Sequence, residues 1–170
     1  VFNTDAVENY LKAINGDQCF DAVATHPYTP NGEAPELGVS GKLKLAEQEL
    51  LKKYGQDPDM PRLATEYGWS DEMVGGKLGE KLEKQAAYFV RAMGKTQAED
   101  SVDRFYWYAI FDYMEYISDL TDREASFGIM QSPLSGGAEV PYIGKPSYVA
   151  IAYYNNLMAE NTFVKDYSEG

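Results

Sequence analysis

The chain has 170 residues, 44% of them hydrophobic and 14% aromatic, which is enough for one globular domain with a hydrophobic core and too little for two. Its formal net charge of −12 disfavours nucleic acids and anionic membranes as partners, because these polyanions would be repelled. With one cysteine and one histidine, the sequence excludes an intrachain disulfide and lacks the usual ligands of a zinc site. We therefore expect no metal ion and no cofactor, and we predict that Cys19 is a small buried apolar side chain.

The first predicted elements are a helix and a short strand. Apolar residues at helical spacing predict an amphipathic helix from Thr4 to Ile14. The mainly apolar run FDAVAT predicts a buried strand from Phe20 to Thr25, and the proline of the following HPY triplet stops it. The end of this strand should present His26 and Tyr28.

A loop, a helix and a second strand follow. Prolines, glycines and an asparagine predict a loop from Thr29 to Ser40. A second helix is predicted from Leu43 to Tyr54, and a short buried strand from Arg62 to Thr65.

The second half of the chain repeats this order. A third helix is predicted from Glu80 to Met93, with Gly94 as the residue that ends it. The ring-rich run VDRFYWYAIF predicts a third strand from Val102 to Phe111. A long irregular segment, Asp112 to Lys145, then leads to a last helix from Ser147 to Ala159.

Apolar spacing also predicts which helix faces are buried. In the second helix the charged residues, Glu47 among them, should lie away from the buried face. In the last helix the residues expected to point inward are apolar: Tyr148, Val149, Ile151, Ala152 and Leu157.

One helix followed by three strand–helix units predicts an α/β fold with parallel strands joined by right-handed crossovers. The predicted loops that leave the strands are long, whereas those that return to the strands are short. In a barrel of such units the loops after the strands build the active site, so the chemistry should lie at the carboxyl ends of the strands.

The stretch PRLATEYGWS delivers a single carboxylate, Glu66, from the end of a predicted strand into a group of rings, Tyr67 and Trp69. This arrangement is typical of a sugar-binding catalytic site. A glutamate that caps the next turn, or one that is simply solvated in a loop, would give the same local sequence.

Four blocks of the sequence together resemble a known pattern. DAVATHPYTP, PRLATEYGWS, VDRFYWYAIFD, and FGIM followed by GKPSYVAIAYY are similar to the sixth, seventh and eighth strands and the final helix of clan A retaining glycoside hydrolases, which are TIM barrels. The first and last blocks look most like the β-xylosidase-like and cellulase-like branches. The resemblance covers nearly the whole chain, and it implies a carbohydrate substrate and an extracellular or periplasmic location.

The resemblance assigns a role to each candidate site residue. Glu66 would be the nucleophile that forms a covalent glycosyl-enzyme, and Tyr28 would donate a hydrogen bond that favours its charged form. His26 would contact sugar hydroxyls or the acid/base. Trp107 would form the apolar floor under the sugar, which Trp69 and Tyr67 could extend.

Each assignment has a structural alternative. A histidine beside a proline can be a structural hydrogen-bonding group, and Trp107, in a run of aromatic residues, can belong to the core. The remaining acidic loop residues are expected to be solvated and not catalytic: Glu33, Glu36, Asp112, Glu115 and Glu124.

The sequence departs from the family in one respect. Retaining hydrolysis needs two carboxyl groups about 5 to 5.5 Å apart, and the acid/base of the clan belongs to an Asn-Glu pair that this sequence lacks. A full barrel usually takes about 250 residues. We therefore expect residues 1–170 to be the C-terminal part of a barrel whose N-terminal part, or another chain, completes it. A carbohydrate-binding segment without catalysis and an unrelated small α/β domain are the alternatives.

Overall fold

The protein is described here from a computed structural model, which describes residues 4–17, 19–29, 32–38, 41–113, 123–131, 142–161 and 164. Three strands form a parallel sheet in the order of the sequence: β1 (Val23–Thr25), β2 (Arg62–Tyr67) and β3 (Arg104–Trp107). The described residues also form five α-helices: α1 (Thr4–Ile14), α2 (Gly41–Lys53), α3 (Asp71–Val74), α4 (Leu78–Ala98) and α5 (Pro146–Met158). The predicted α/β fold of three strand–helix units with parallel strands is confirmed.

Short elements occupy the segments predicted as loops. A 3₁₀ turn covers Pro35–Leu37, and a second covers Arg123–Ser126. Two very short antiparallel strands, β4 (Met130–Gln131) and β5 (Ile143–Gly144), form a second sheet. The predicted irregular segment Asp112 to Lys145 therefore has some regular structure, while its residues 114–122 and 132–141 lie outside the described part of the chain.

The outer strands are shorter than predicted because each extends only as far as it pairs with β2. The β1–β2 ladder runs from Val23, opposite Arg62, to Thr25, so the three residues before Val23 are not part of the strand. Likewise, β3 has four residues instead of the predicted ten. Strand β2, which has a partner on both sides, continues beyond its predicted end to Tyr67.

The predicted end of the third helix at Gly94 is wrong. Helix α4 continues through Gly94 to Ala98. A glycine inside a helix costs about 1 kcal/mol relative to alanine, but Ala92 and Thr96 are buried on either side of it, and Thr96 Oγ1 donates to the carbonyl of Ala92 at 2.7 Å. Packing of the last turn thus outweighs the low helix propensity of glycine.

Two predicted helix faces are also wrong. In α2, Glu47 is only 3% exposed, because its carboxylate lies 3.3 Å from the guanidinium of buried Arg62. In α5 the buried residues are Ser147 and Tyr154, which contact α4 through a hydrogen bond to Gln85 and a ring contact with Phe89. The residues Tyr148, Val149 and Leu157, which were expected to point inward, are 45–63% exposed.

The two faces of the parallel sheet differ. Helices cover one face: Phe105 packs on Phe89 of α4, and Arg62 pairs with α2. The other face, which we call the open face, carries Ala24, Leu63 and Arg104 side by side in the strand register, together with Thr65 and Tyr106. Four of these five residues are exposed, Leu63 being partly buried. All-parallel sheets are normally covered on both faces.

Two apolar clusters lie between the sheet and the helices. One contains Tyr67, Trp69, Val74 and Ala92, and the other contains Leu11, Leu51 and Met60. Cys19 belongs to neither, and the prediction that it is buried is wrong. It lies in the connection before β1, where Tyr10 Oη is 3.9 Å from its sulfur. Among the described residues, no helix combines the length and the apolar character needed to cross a membrane.

Candidate functional site

The carboxyl ends of β1 and β2 bring His26, Tyr28 and Glu66 together. The Tyr28 hydroxyl donates to Glu66 Oε1 at 2.7 Å, and His26 Nδ1 lies 3.2 Å from Glu66 Oε2. Both carboxylate oxygens therefore have a partner on the neighbouring chain segment. The side chains of His26 and Glu66 are 53% and 31% exposed, so the group is open to solvent on one side.

The backbone explains why this carboxylate is not buried with its neighbours. The β2–β3 pairing is irregular between Ala64 and Tyr67, which breaks the strict alternation of a strand. Tyr67, fully buried, packs on Phe105, the partner of Ala64 in the ladder. Glu66, one residue earlier, keeps its carboxylate at the edge of the sheet.

The electrostatics favour a protonated phenol beside the carboxylate. Burial raises the pKa of Tyr28 well above its ordinary value, and the hydrogen bond to Glu66 and the charge of that carboxylate raise it further. Tyr28 therefore stays a hydrogen-bond donor at any physiological pH. A charged acceptor makes this bond stronger than one between neutral groups.

Three of the predicted substrate-binding rings pack against other rings of the domain. Trp107 packs against Phe89 of α4, with ring centroids 5.2 Å apart, and against Trp69 at 6.0 Å. The reason is strand alternation, since Phe105 and Trp107 share the helix-covered face. Trp69 and Tyr67 are fully buried. Tyr67 and Trp69 belong to the buried apolar cluster, and Trp107, which is partly buried, packs against it, as in the structural alternative for Trp107.

A different ring lies on the side of Glu66. Tyr108, one residue after Trp107, packs on Phe127 at 5.2 Å, and Phe127 packs on Tyr28 at 6.0 Å. Burial raises the pKa of Tyr108, and so do its hydrogen bond to Tyr113 and the charges of Glu124 and Glu66. Sequence reasoning missed Tyr108, although alternation along FYWY was a signal that consecutive rings face opposite sides.

Glu124 approaches this wall of rings. Its Oε2 lies 3.4 Å from the Tyr108 hydroxyl, which is long for a hydrogen bond between oxygens. The Glu124 side chain is exposed, as expected for a solvated loop residue. Its charge nevertheless acts on Tyr28 as well as on Tyr108, so it belongs to the surroundings of Glu66.

A buried ammonium group holds the loops around the site. The side chain of Lys145 is 1% exposed, and its Nζ lies 2.8 Å from Asp112, 3.1 Å from Asp71 and 3.1 Å from the carbonyl of Ser126. Removing one member of such a buried ionic group costs about 3–5 kcal/mol. Lys145 thus connects the start of α3, the segment after β3, the 3₁₀ turn at Ser126 and the start of α5.

Two glycines allow the chain segments around the site to approach closely. A Cβ at position 68 would lie 2.2 Å from the carbonyl oxygen of Tyr108, and one at position 128 would lie 2.2 Å from the backbone nitrogen of Asp112. Neither position has room for a side chain. Gly68 and Gly128 therefore fix the distance between the Glu66 segment, Tyr108 and the loop that carries Phe127.

No group of three potential metal ligands occurs in the described ranges of the chain. The arrangement can hold the Glu66 carboxylate in a fixed direction, with one side open to solvent and a wall of rings beside it.

Comparisons with known proteins find similarity of structure. A family 39 glycoside hydrolase from the gut symbiont Bacteroides cellulosilyticus WH2 matches with a TM-score of 0.62 and 24% identity, over 92% of this chain and 31% of that chain. A GH5_18 protein from Streptomyces cattleya, in complex with Manβ1-4GlcNAc, matches with a TM-score of 0.58 and 18% identity, over 89% of this chain and 34% of that chain. A GH5_18 protein from Bifidobacterium longum subsp. infantis matches with a TM-score of 0.55 and 18% identity, over 84% of this chain and 31% of that chain.

The likeness is one of fold. No family model matches the sequence, and no curated protein matches it. The chain spans about a third of the length of the solved structures it matches, which are TIM-barrel glycosidases. The expected barrel architecture, limited to three strand–helix units, is therefore confirmed.

Proposed function

We propose that this chain supplies the nucleophile side of a retaining β-glycosidase site and that Glu66 is the nucleophile. The observation that carries the proposal is the 2.7 Å hydrogen bond from Tyr28 to a Glu66 carboxylate that remains 31% exposed at the carboxyl edge of the sheet. A nucleophile must be directed and reachable, and Glu66 meets both conditions, since Tyr28 holds its direction and its side chain is open to solvent.

The chemistry takes two steps. A Glu66 oxygen attacks the anomeric carbon while the glycosidic C–O bond breaks, and the departing oxygen takes a proton from a second carboxyl group. Water then displaces Glu66 from the glycosyl-enzyme, giving up its proton to the same second group. The substrate class is a β-linked glycan.

The neighbours of Glu66 have distinct roles in this proposal. Tyr28 holds the direction of the attacking carboxylate and stabilises its charge until the new bond forms. His26, 53% exposed beside Glu66, is free to reach a sugar hydroxyl as well. Tyr108, rather than Trp107, is our candidate for the apolar wall beside the sugar, because the C–H face of a pyranose packs well on an aromatic ring.

The acid/base has to come from another part of the barrel. The open face of the sheet, with Tyr106 53% exposed, supports the proposal that further strands cover it. Those strands would bring the second carboxyl group about 5 to 5.5 Å from Glu66. We call the protein in which they accompany residues 1–170 the complete barrel; whether they belong to the same polypeptide or to another chain does not affect the role of Glu66.

Replacing the nucleophile tests the proposal. In the complete barrel, Glu66→Ala should lower turnover of an aryl β-glycoside by roughly 10⁴-fold or more. Azide or formate, which fit the space left by the carboxylate, should restore part of the activity and give a product of inverted configuration.

The matched control is Glu83→Ala, which removes an exposed carboxylate from α4 and should leave turnover unchanged. Wild-type turnover in the Glu66→Ala variant would end the assignment. Loss of turnover without any rescue by small anions would mean that Glu66 is required for activity but is not the nucleophile.

The alternative from the sequence is a carbohydrate-binding segment without catalysis. The sequence has no Asn-Glu pair, so no acid/base of the expected type is part of it. A complete barrel that binds glycans with Glu66 intact but never turns over an aryl β-glycoside would support this alternative.

A further inference from the structure

Two exposed aromatic rings contact each other near the second, small sheet. Phe111 and Tyr142, which we call the rim pair, have centroids 4.6 Å apart and ring planes at 41°. Phe111 is 43% exposed and Tyr142 is 51% exposed. Exposed apolar groups that cluster in this way usually mark a binding surface, because burying them inside the domain would be more favourable.

The rim pair lies on the same edge of the molecule as Glu66. Beyond β3 the chain continues to pair: the Ala109 N–H donates to the Phe127 carbonyl at 3.3 Å, and the Asp112 N–H donates to the Met130 carbonyl at 3.1 Å. Phe111 therefore lies beyond Tyr108 along the extension of β3.

A row of rings leads from Glu66 towards the chain segment that carries Phe111. From the Tyr28 hydroxyl at Glu66, rings follow one another through Phe127, at 6.0 Å, and Tyr108, at 5.2 Å, to Tyr113, at 5.9 Å. Tyr113 is two residues along the chain from Phe111. The rim pair thus includes a residue of the same chain segment as Tyr108 and Tyr113, the segment that lies beside the proposed nucleophile.

The chain is held by hydrogen bonds directly after each of the two rings. Asp112, next to Phe111, accepts hydrogen bonds from the buried Lys145 ammonium and from the Gly128 N–H, at 2.8 and 2.9 Å. Tyr142 precedes β5, which pairs with β4 and leads into Lys145. A platform that is already ordered needs little rearrangement to bind a ligand.

We propose that the rim pair is a distal glycan subsite, which stacks on a sugar unit of a neutral β-linked oligosaccharide beyond the unit held at Glu66. This inference rests on the proposed function, since it names the substrate as a chain of several sugars. Pyranose rings present C–H faces that pack on aromatic rings. The net charge of −12 favours a neutral ligand over a polyanion at the same surface.

A double substitution tests the subsite. In the complete barrel, Phe111→Ala with Tyr142→Ala should lower kcat/KM for cellohexaose or xylohexaose by roughly tenfold or more, as expected for the loss of two stacking rings. The kcat/KM for a nitrophenyl β-glucoside or β-xyloside should stay the same, because a single sugar unit does not reach the rim pair.

The control is Tyr153→Ala, which removes a 69% exposed ring from α5 and should change neither substrate class. Equal losses on hexasaccharide and aryl glycoside would overturn the proposal, and so would unchanged kinetics on both. A lower melting temperature or a changed oligomeric state in the double variant would show instead that another protein surface covers the pair.

A binding measurement separates this inference from the role of Glu66. Titration calorimetry of the hexasaccharides with the Glu66→Ala variant should show affinity that falls roughly tenfold or more when the rim pair is also replaced. Such a fall would support the subsite even if aryl glycoside turnover had disproved the nucleophile, and equal affinities would rule the subsite out.

Discussion

The two ends of strand β2 each carry an acidic group beside a basic one, but in opposite environments. At the amino end, Arg62 is 4% exposed, its backbone N–H donates to Asp103 at 2.7 Å, and its guanidinium lies 3.3 Å from Glu47. At the carboxyl end, the Glu66 and His26 side chains remain 31% and 53% exposed. The amino-end pair is sealed between helix and sheet, whereas the carboxyl-end pair can reach a ligand.

Burial accounts for this difference in role. Burial raises the pKa of Glu47, and the charge of Arg62 acts in the opposite direction. A sealed pair of this kind depends on both members, because either one alone would be an unpaired buried charge. In parallel α/β folds the carboxyl ends of the strands are where ligands bind, and the amino ends serve stability.

Exchanging each glutamate for glutamine should give the largest contrast between the two ends. In the complete barrel, Glu66→Gln should lower aryl β-glycoside turnover by roughly 10⁴-fold or more and leave the free energy of unfolding unchanged or higher. Glu47→Gln should lower the free energy of unfolding by about 3–5 kcal/mol and leave turnover per folded molecule unchanged. Urea unfolding and steady-state kinetics on both variants measure the four values. If both variants lost stability, or both lost turnover, the division between the ends of β2 would be incorrect.

Removing one hydroxyl from the open end should have an intermediate effect. Tyr28→Phe deletes the donor to Glu66 Oε1. A hydrogen bond to a charged group contributes about 1.5–3 kcal/mol, so kcat should fall roughly 10- to 150-fold, with a smaller change in KM. The comparison variant is Tyr153→Phe, whose exposed hydroxyl on α5 is remote from β2 and should be dispensable. An unchanged kcat in Tyr28→Phe would mean that another group holds the carboxylate.

The smallest expected effect concerns an ion pair at the surface, between Glu8 and Lys53. Hydrogen bonds from Lys53, at 2.8 Å, and Tyr54, at 2.6 Å, lower the pKa of Glu8 to about 2. Because this pKa is depressed in the folded state, the stabilisation is present above the unfolded value of 4.5 and is lost as the pH falls towards 2.

In the Glu8→Gln variant, the free energy of unfolding should therefore fall less in this pH range than it does in the unmodified protein. Added salt should make the difference between the two proteins smaller. Urea unfolding at about pH 6 and about pH 3 measures the difference, with Glu83→Gln as the exposed control. A pH dependence identical to that of the unmodified protein would show that the pair contributes nothing to stability.

The element order and the fold class could be predicted from the sequence because the signals were local. Apolar spacing located α1 with both its ends, and proline after His26 located the end of β1. The meeting of His26, Tyr28 and Glu66 followed from parallel strands, whose carboxyl ends share one edge. The proximity of these three side chains could therefore be predicted without knowledge of any tertiary contact.

The rest depended on contacts between residues that are distant in the sequence. Only the tertiary structure decided that Trp107 packs under α4 while Tyr108 lies on the side of Glu66, since alternation and the irregular pairing of β2 choose the face. It also decided that α4 continues through Gly94 and that Cys19 is exposed.

By itself, therefore, the sequence determined the order of helices and strands, the parallel sheet and the edge at which the acidic group would lie, because these depend on spacing and on chain direction. The tertiary structure decided which side chains share a face, which charges are sealed and which rings stay exposed. Those outcomes depend on packing between separate elements, where burial free energy outweighs local preference.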